Sequence, residues 1–277
     1  MTAVKSYSIE AYNTAKHSEN KMHDDTVAKQ YGFSGGLVPG VDVWAYLSHV
    51  PAEAWGRDWL VEGGLEARFA APIYDGEEVT VEADAVEADL AGASDATDAA
   101  DGVEALALIA RNPAGKACAA GRAYRRLPGP PPDLAAYPAA PLPDPPPPPA
   151  SPDYFEHHVV LGTSEATWRA GSGYLDSVND QLPLFRESGL APPGWLLRRA
   201  NDVLVHNVTL GPWIHVESRV HHLGAVVDGQ VVSTRARVAD HYERKGHRFV
   251  ELDVLMLVEN RPVLTGRHVA IYQPRRA

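Results

Sequence analysis

Apolar residues alternate with polar ones at Val79, Val81, Ala83 and Ala85, and again at Val250, Leu252, Val254 and Met256. That period of two puts one face of a β-strand in a core and the other toward water. Two segments depart from it. Val41 to Ser48 and Trp195 to His206 carry apolar residues around most of a helical circumference, the pattern of a buried helix. Each follows a Pro-Gly step, at Pro39-Gly40 and at Pro193-Gly194. One buried helix followed by long strands, twice over, predicts an α+β fold of two tandem units, each a curved antiparallel sheet wrapped around a central helix.

The two units read as copies. Ser34-Gly35-Gly36-Leu37-Val38-Pro39-Gly40 returns as Ser188-Gly189-Leu190-Ala191-Pro192-Pro193-Gly194, with four identities at an offset of 154 residues. Tyr74-Asp75-Gly76 is echoed by Val227-Asp228-Gly229 at an offset of 153. Just upstream of the first match the copies differ: Ser18-Glu19-Asn20-Lys21-Met22-His23-Asp24-Asp25 faces Ser172-Gly173-Tyr174-Leu175-Asp176-Ser177-Val178-Asn179. Chemistry is therefore expected in the first half.

Thirteen of the 23 prolines fall between Pro128 and Pro152, including the run Pro145 to Pro149. Such a stretch forms neither strand nor helix and predicts a stiff, extended connector. The chain thus divides into residues 1–127, the candidate catalytic unit, a linker over 128–152, and residues 153–277, a structural unit that walls the substrate tunnel. Ala83 to Gly102, rich in Ala and Asp, reads as a solvated excursion between strands.

A formal charge of −11 argues against nucleic acid, which calls for a basic surface. The first residues lack an apolar signal region and no run approaches the roughly 18 apolar residues of a membrane span, so a cytoplasmic protein without membrane contact is expected. Cys118 is the only cysteine, which leaves no intrachain disulfide and suits core packing. His215, His221 and His222 have no Cys or carboxylate at ligand spacing, and no metal site is read there.

Between residues 14 and 82 the chain resembles the MaoC-like (R)-specific enoyl-CoA hydratases and dehydratases, a family with the hotdog fold. Asn20, His23, Gly32-Phe33 and Gly40 fall in the places of that family's signature, and Phe69-Ala70-Ala71-Pro72 with Asp75-Gly76-Glu77 matches the strand and turn after its helix. The second half follows only through the duplicated architecture, as a double hotdog would. Ser18 stands where the family has its catalytic Asp, Lys21 where it has Pro, Pro39 where it has the His of His-Gly, and Ala45 where a Ser often supports the dyad.

The resemblance implies a hydro-lyase acting at the β-carbon of an acyl chain carried by coenzyme A or a carrier protein, a small-molecule substrate, with no cofactor. In that reading His23 is the general acid or base, Ser18 and Asn20 organise its site, and Gly40 and Val41 present helix N-terminal N–H groups to the thioester carbonyl. Glu19, Asp24 and Asp25 are candidates for the missing charge or, as acidic residues at a helix start, serve as caps. Arg198, Asp202 and His206, spaced by four on the second helix, form either an ion-paired edge or, if they face the cleft, a source for the missing carboxylate and a second proton carrier. Other chemistry on the same scaffold (a thioesterase, another lyase or a cyclisation catalyst) and a non-catalytic acyl-binding or partner subunit stay open. A fused pair already covers a hotdog dimer interface, so the chain is expected as a monomer or a homodimer.

Overall fold

A computed structural model describes residues 5–88, 103–127 and 129–276. The strands are β1 (Tyr7–Glu10), β2 (Gly64–Phe69), β3 (Glu78–Ala88), β4 (Val103–Arg111), β5 (Ala117–Tyr124), β6 (Ser164–Thr167), β7 (Ile214–His222), β8 (Val231–Arg244), β9 (His247–Val258) and β10 (Arg261–Gln273). They pair antiparallel into one sheet of order β1-β3-β4-β5-β2-β7-β10-β9-β8-β6. Each half contributes five strands in mirrored order, so the sheet has an internal two-fold relation about the β2–β7 pair. The helices are α1 (Asp25–Lys29), α2 (Gly40–Glu62), α3 (Pro152–His157), α4 (Tyr174–Ser177), α5 (Pro183–Ser188) and α6 (Pro193–Asn207). None is long and apolar enough to cross a membrane.

The two predicted buried helices are α2 and α6, which pack against each other and on the strands of their own halves. Val41 to Ser48 are all buried, as α2 requires of a helix apolar on every side. It continues past Ser48 through Pro51 to Gly56, where the helical geometry breaks before a last turn. Trp44 and Trp59 are fully buried. Cys118 is buried in the same core.

The duplicated phrases do the same work in each half. Leu37 bridges Tyr74, and Leu190 bridges Val227. Asp75 accepts the Asn13 N–H at 2.8 Å, as Asp228 accepts that of Ala170 at 2.8 Å. Gly76 and Gly229 hold φ of 76° and 87°, the left-handed region that glycine enters without a Cβ penalty.

Two expectations need correction. Ala83 to Ala88 belong to β3, paired with β4 through Ala88↔Val103, so the strand runs on where an excursion was expected; the remainder, 89–102, lies outside the described residues. The proline-rich connector is not free of structure. It contains a 3₁₀ turn at Leu134–Ala136, and Pro152 is the first residue of α3, capped by Ser151. It is also strapped to the second half: Thr209 donates its N–H to Pro148 O at 2.7 Å, and Ala150 donates to Thr209 O at 3.0 Å. Proline removes donors but keeps carbonyls, so a proline run serves a neighbouring strand end as acceptor alone.

The halves meet along a seam. Leu65↔Val220 and Ala67↔Ser218 pair across β2 and β7. Beneath it, α2 and α6 approach closely, because a Cβ on Gly194 would lie 2.6 Å from that of Ala45. The resemblance's Ser position is thus a helix-crossing contact. His222 bonds Trp59 O through Nδ1 at 3.0 Å, and His49 bonds Asp180 across the halves at 3.0 Å. Asp42, fully buried on α2, pairs with Arg198 on α6 at 2.5 Å and accepts from Thr14 at 2.6 Å.

Removing one member of a buried pair strands the other charge, which costs about 3–5 kcal/mol, whereas replacing both by apolar groups costs far less. Arg198→Met is therefore expected to lower unfolding free energy in urea by about that amount, and Asp42→Leu/Arg198→Met to recover most of it. A single variant as stable as wild type would show that the pair does not hold the helices together.

Candidate functional site

His23 ends a 3₁₀ turn, Lys21–His23, whose middle residue Met22 is fully buried against Ala28 and Leu37. That apolar anchor fixes the turn, and the loop around it fixes the imidazole. A Cβ on Gly36 would lie 2.2 Å from the His23 carbonyl, so only glycine lets this loop close over the turn. Asp25 holds Gly36 there by accepting its N–H at 2.7 Å. Asn13 binds the His23 carbonyl through Nδ2 at 3.0 Å.

The protonation of the ring follows from its partners. Nδ1 lies 2.7 Å from Leu37 O, and a carbonyl only accepts, so Nδ1 carries the proton. Nε2 then has a lone pair, which accepts from Asn20 Nδ2 at 3.1 Å. Burial lowers the ring's pKa from its ordinary value near 6.5, against the raising effects of the Leu37 carbonyl and the Asp42 charge, so His23 is neutral at pH 7.

Asn20 ties this arrangement to the second half. Its Oδ1 accepts from Met22 N at 3.2 Å and from Trp213 N at 3.1 Å, and its Nδ2 also donates to Trp213 O at 3.0 Å. One amide thus caps the turn, orients the imidazole and pairs with the strand-like segment leading into β7.

His23 opens on two adjoining cavities. The inner one, about 230 Å³, is lined by apolar side chains including Val43, Phe69, Ile73 and Ile271, with Gly40 and Pro39 at the start of α2. The outer one adds charged and polar groups to an apolar lining, with Ser18, Glu19, Arg198, Arg199, Asp202 and Val41 on its wall. Asn20, His23, Pro39, Asn201 and Trp213 line both and so form the neck. Pro39 O accepts from Asp42 N at 2.9 Å and Val43 N at 3.1 Å, which leaves the Gly40 and Val41 N–H groups without an acceptor among the described residues.

Of the sequence candidates, the structure brings together His23, Asn20, Gly40 and Val41. Ser18 lies on the outer wall, its hydroxyl 3.4 Å from Asn20 O, and does not touch the imidazole. Asp25 faces the Gly36 loop, and Asp24 caps α1. Asp202 reaches the outer cavity paired with Arg199 at 2.7 Å, and burial raises its carboxyl pKa. His206 is exposed and bonds Ser164 on the edge strand at 2.9 Å, away from both cavities. The groups that sequence reading missed come from afar: Asn201, Trp213 and His215, with Asp42 as the nearest buried carboxylate. Asn201 Oδ1 is buried without a partner among the described residues.

In the second half the equivalent place is filled. At the offset of 154, Asn20 and His23 correspond to Tyr174 and Ser177. The Tyr174 ring is buried against Trp168, its hydroxyl lies 2.5 Å from where a Cβ on Gly194 would be, and the Arg198 guanidinium sits 4.7 Å over its face. An aromatic plug thus occupies what is cavity in the first half.

Solved structures with this architecture span nearly the whole chain. Rv0216 of Mycobacterium tuberculosis, described as having a double hotdog fold, aligns over 98% of this chain and 96% of its own with a TM-score of 0.61 and 14% identity. The fold is a double hotdog. A putative MaoC domain protein dehydratase from Chloroflexus aurantiacus aligns over 100% and 97% with a TM-score of 0.61 and 10% identity, and a MaoC-like dehydratase over 98% of each with 0.58 and 11%. No family model and no curated protein matches the sequence.

Buried histidines set an acid limit on this double hotdog. Burial lowers the pKa of His222 to about 4 and of His268 to about 3, and that of His215 well below its ordinary value. The unfolded chain binds protons near 6.5 that the folded chain refuses, so the folded state is fully favoured above pH 6.5 and loses stability as pH falls from there toward 4 and 3. Each such ring contributes a slope of about 1.4 kcal/mol per pH unit inside its window. His222→Gln is expected to flatten the urea-unfolding free energy between pH 6 and 5 by about that amount; an unchanged slope would mean that His222 protonates in the fold.

Proposed function

We propose that the inner cavity takes the acyl chain of a thioester and that His23 catalyses reversible hydration or dehydration at its β-carbon. One observation carries this reading: a neutral imidazole with its proton fixed on Nδ1 faces an apolar cavity lined by Gly40 at the start of α2, with Val41 on the wall of the adjoining outer cavity. In the hydration direction His23 Nε2 takes a proton from water as the water oxygen bonds Cβ. The double-bond pair moves toward the thioester oxygen, where the Gly40 and Val41 N–H groups meet the developing charge, and the proton passes from Nε2 to Cα. Water reaches Nε2 by replacing the 3.1 Å contact from Asn20, whose Nδ2 keeps Trp213 O as acceptor. Ser18, with Asp202 across the outer wall, positions the entering group. The carrier, coenzyme A or an acyl carrier protein, stays on the outer side. The covered seam makes one chain the counterpart of a hotdog dimer.

A second reading, binding of an acyl thioester without turnover or with other chemistry, is favoured by the spent carboxylate. Asp42 is committed to Arg198 and Thr14 and makes no hydrogen bond to His23.

Mass spectrometry against a panel of enoyl, 3-hydroxyacyl and saturated acyl thioesters separates the readings. Gain or loss of water is expected, with turnover in His23→Ala lower by about 10²-fold or more. Release of a free acid, or unchanged substrate that nonetheless binds, would overturn the hydratase reading. Ser18→Asp is expected to raise hydration of crotonyl thioesters, since a carboxylate on the outer wall adds a negative charge that favours the imidazolium; no change in any activity would place Ser18 outside the chemistry.

A further inference from the structure

A second imidazole reaches the inner cavity from the other half. Along β7 the burial alternation slips, because β10 pairs Val269 with Glu217 but Ala270 with His215 and leaves Val216 as an extra residue. The bulge turns His215 onto the same buried face as Ser218. Ser218, the cross-strand neighbour of His268, then stands between two rings: His215 Nε2 lies 2.8 Å from its Oγ and His268 Nδ1 lies 3.0 Å from it. All three residues are buried, and the rings stack at 4.3 Å. The outer nitrogens, His215 Nδ1 and His268 Nε2, have no partner among the described residues.

Leaving a buried ring nitrogen unpaired is costly unless it serves something. His215 lines the inner cavity, and a Cβ on Gly40 would lie 2.7 Å from Nδ1. The imidazole is therefore packed against the start of α2 at the cavity wall. A serine hydroxyl donates once, so the chain has a direction. With Nδ1–H of His268 donating to Ser218 Oγ, and Ser218 O–H donating to His215 Nε2, the free end is an N–H on His215 Nδ1.

We propose that His215 Nδ1–H is a third donor to the thioester oxygen, beside the N–H groups of Gly40 and Val41, with Ser218 and His268 as positioning residues that hold its tautomer. The inference rests on the thioester reading of the cavity. It makes the site composite, since the base comes from the first half and this donor from the second.

Nitrogen-15 NMR of histidine-labelled protein, free and with butyryl-CoA, tests it and separates it from that reading. His215 is expected as the Nδ1–H tautomer, with its resonance and that of His23 both moving on addition. An unprotonated His215 Nδ1, or movement of His23 alone, overturns the proposal while the thioester reading stands; no movement of either ring removes that reading and the proposal with it. With crotonyl-CoA, His215→Phe is expected to lower kcat by about 10²-fold at nearly constant KM, and His215→Asn, whose amide places an N–H where Nδ1 lies, to recover about tenfold of that loss. Ser218→Ala, which leaves the cavity wall intact, is expected to cost about tenfold in kcat and to release the His215 tautomer preference. Wild-type kcat in both His215→Phe and Ser218→Ala would overturn the assignment.

Discussion

A strand edge buried beside an apolar helix must find partners for its N–H and C=O groups, and each half of this chain ends its sheet in such an edge. β2 and β7 satisfy each other, and the pairing brings α2 and α6 into contact underneath. Everything that distinguishes the cavity follows from that seam. Asn20 grips both polar groups of Trp213 just before β7. Asn201 enters the neck from α6, and β7 carries His215 into the wall. Neither half alone contains the surroundings of His23.

The duplication explains why one cavity is open and its counterpart closed. The turns that set the backbone are kept, as the matched bridges Leu37–Tyr74 and Leu190–Val227 show. What differs is the filling. Where the first copy has Asn20, a short amide that spends its hydrogen bonds on backbone and imidazole, the second has Tyr174, whose ring occupies the space and packs on Trp168. An aromatic core contributes burial that an open cavity forgoes, so one half stabilises and the other keeps a void.

Much of the fold was legible because it is local. The period-two runs, the all-apolar helices and the Asp-Gly turns are properties of contiguous residues, and so is the segment Asn20 to His23, whose cap and imidazole act within one turn. The rest depends on residues far apart in sequence. Asp42 sits inside an apolar helix and becomes intelligible only with Arg198, 156 residues away. His215 and Ser218 would point to opposite faces of a regular strand; the bulge at Val216 puts them together. The spacing of Arg198, Asp202 and His206 left two readings open, and the first two residues are ion-paired on the outer cavity's wall while His206 is not there. Steps of four advance a helix by about 40° each, so two steps turn His206 about 80° from Arg198 and onto the exposed side. The proline-rich segment was read by what it lacks, donors, and not by the carbonyls it offers Thr209.

A crystal structure with butyryl-CoA addresses the composite cavity most directly. The account predicts the acyl chain among Val43, Phe69 and Ile73, the thioester oxygen within hydrogen-bond reach of the Gly40 N–H, and Cβ one water away from His23 Nε2. A ligand lodged against Tyr174 in the second half, or an inner cavity left unfilled with the thioester bound elsewhere, would contradict it.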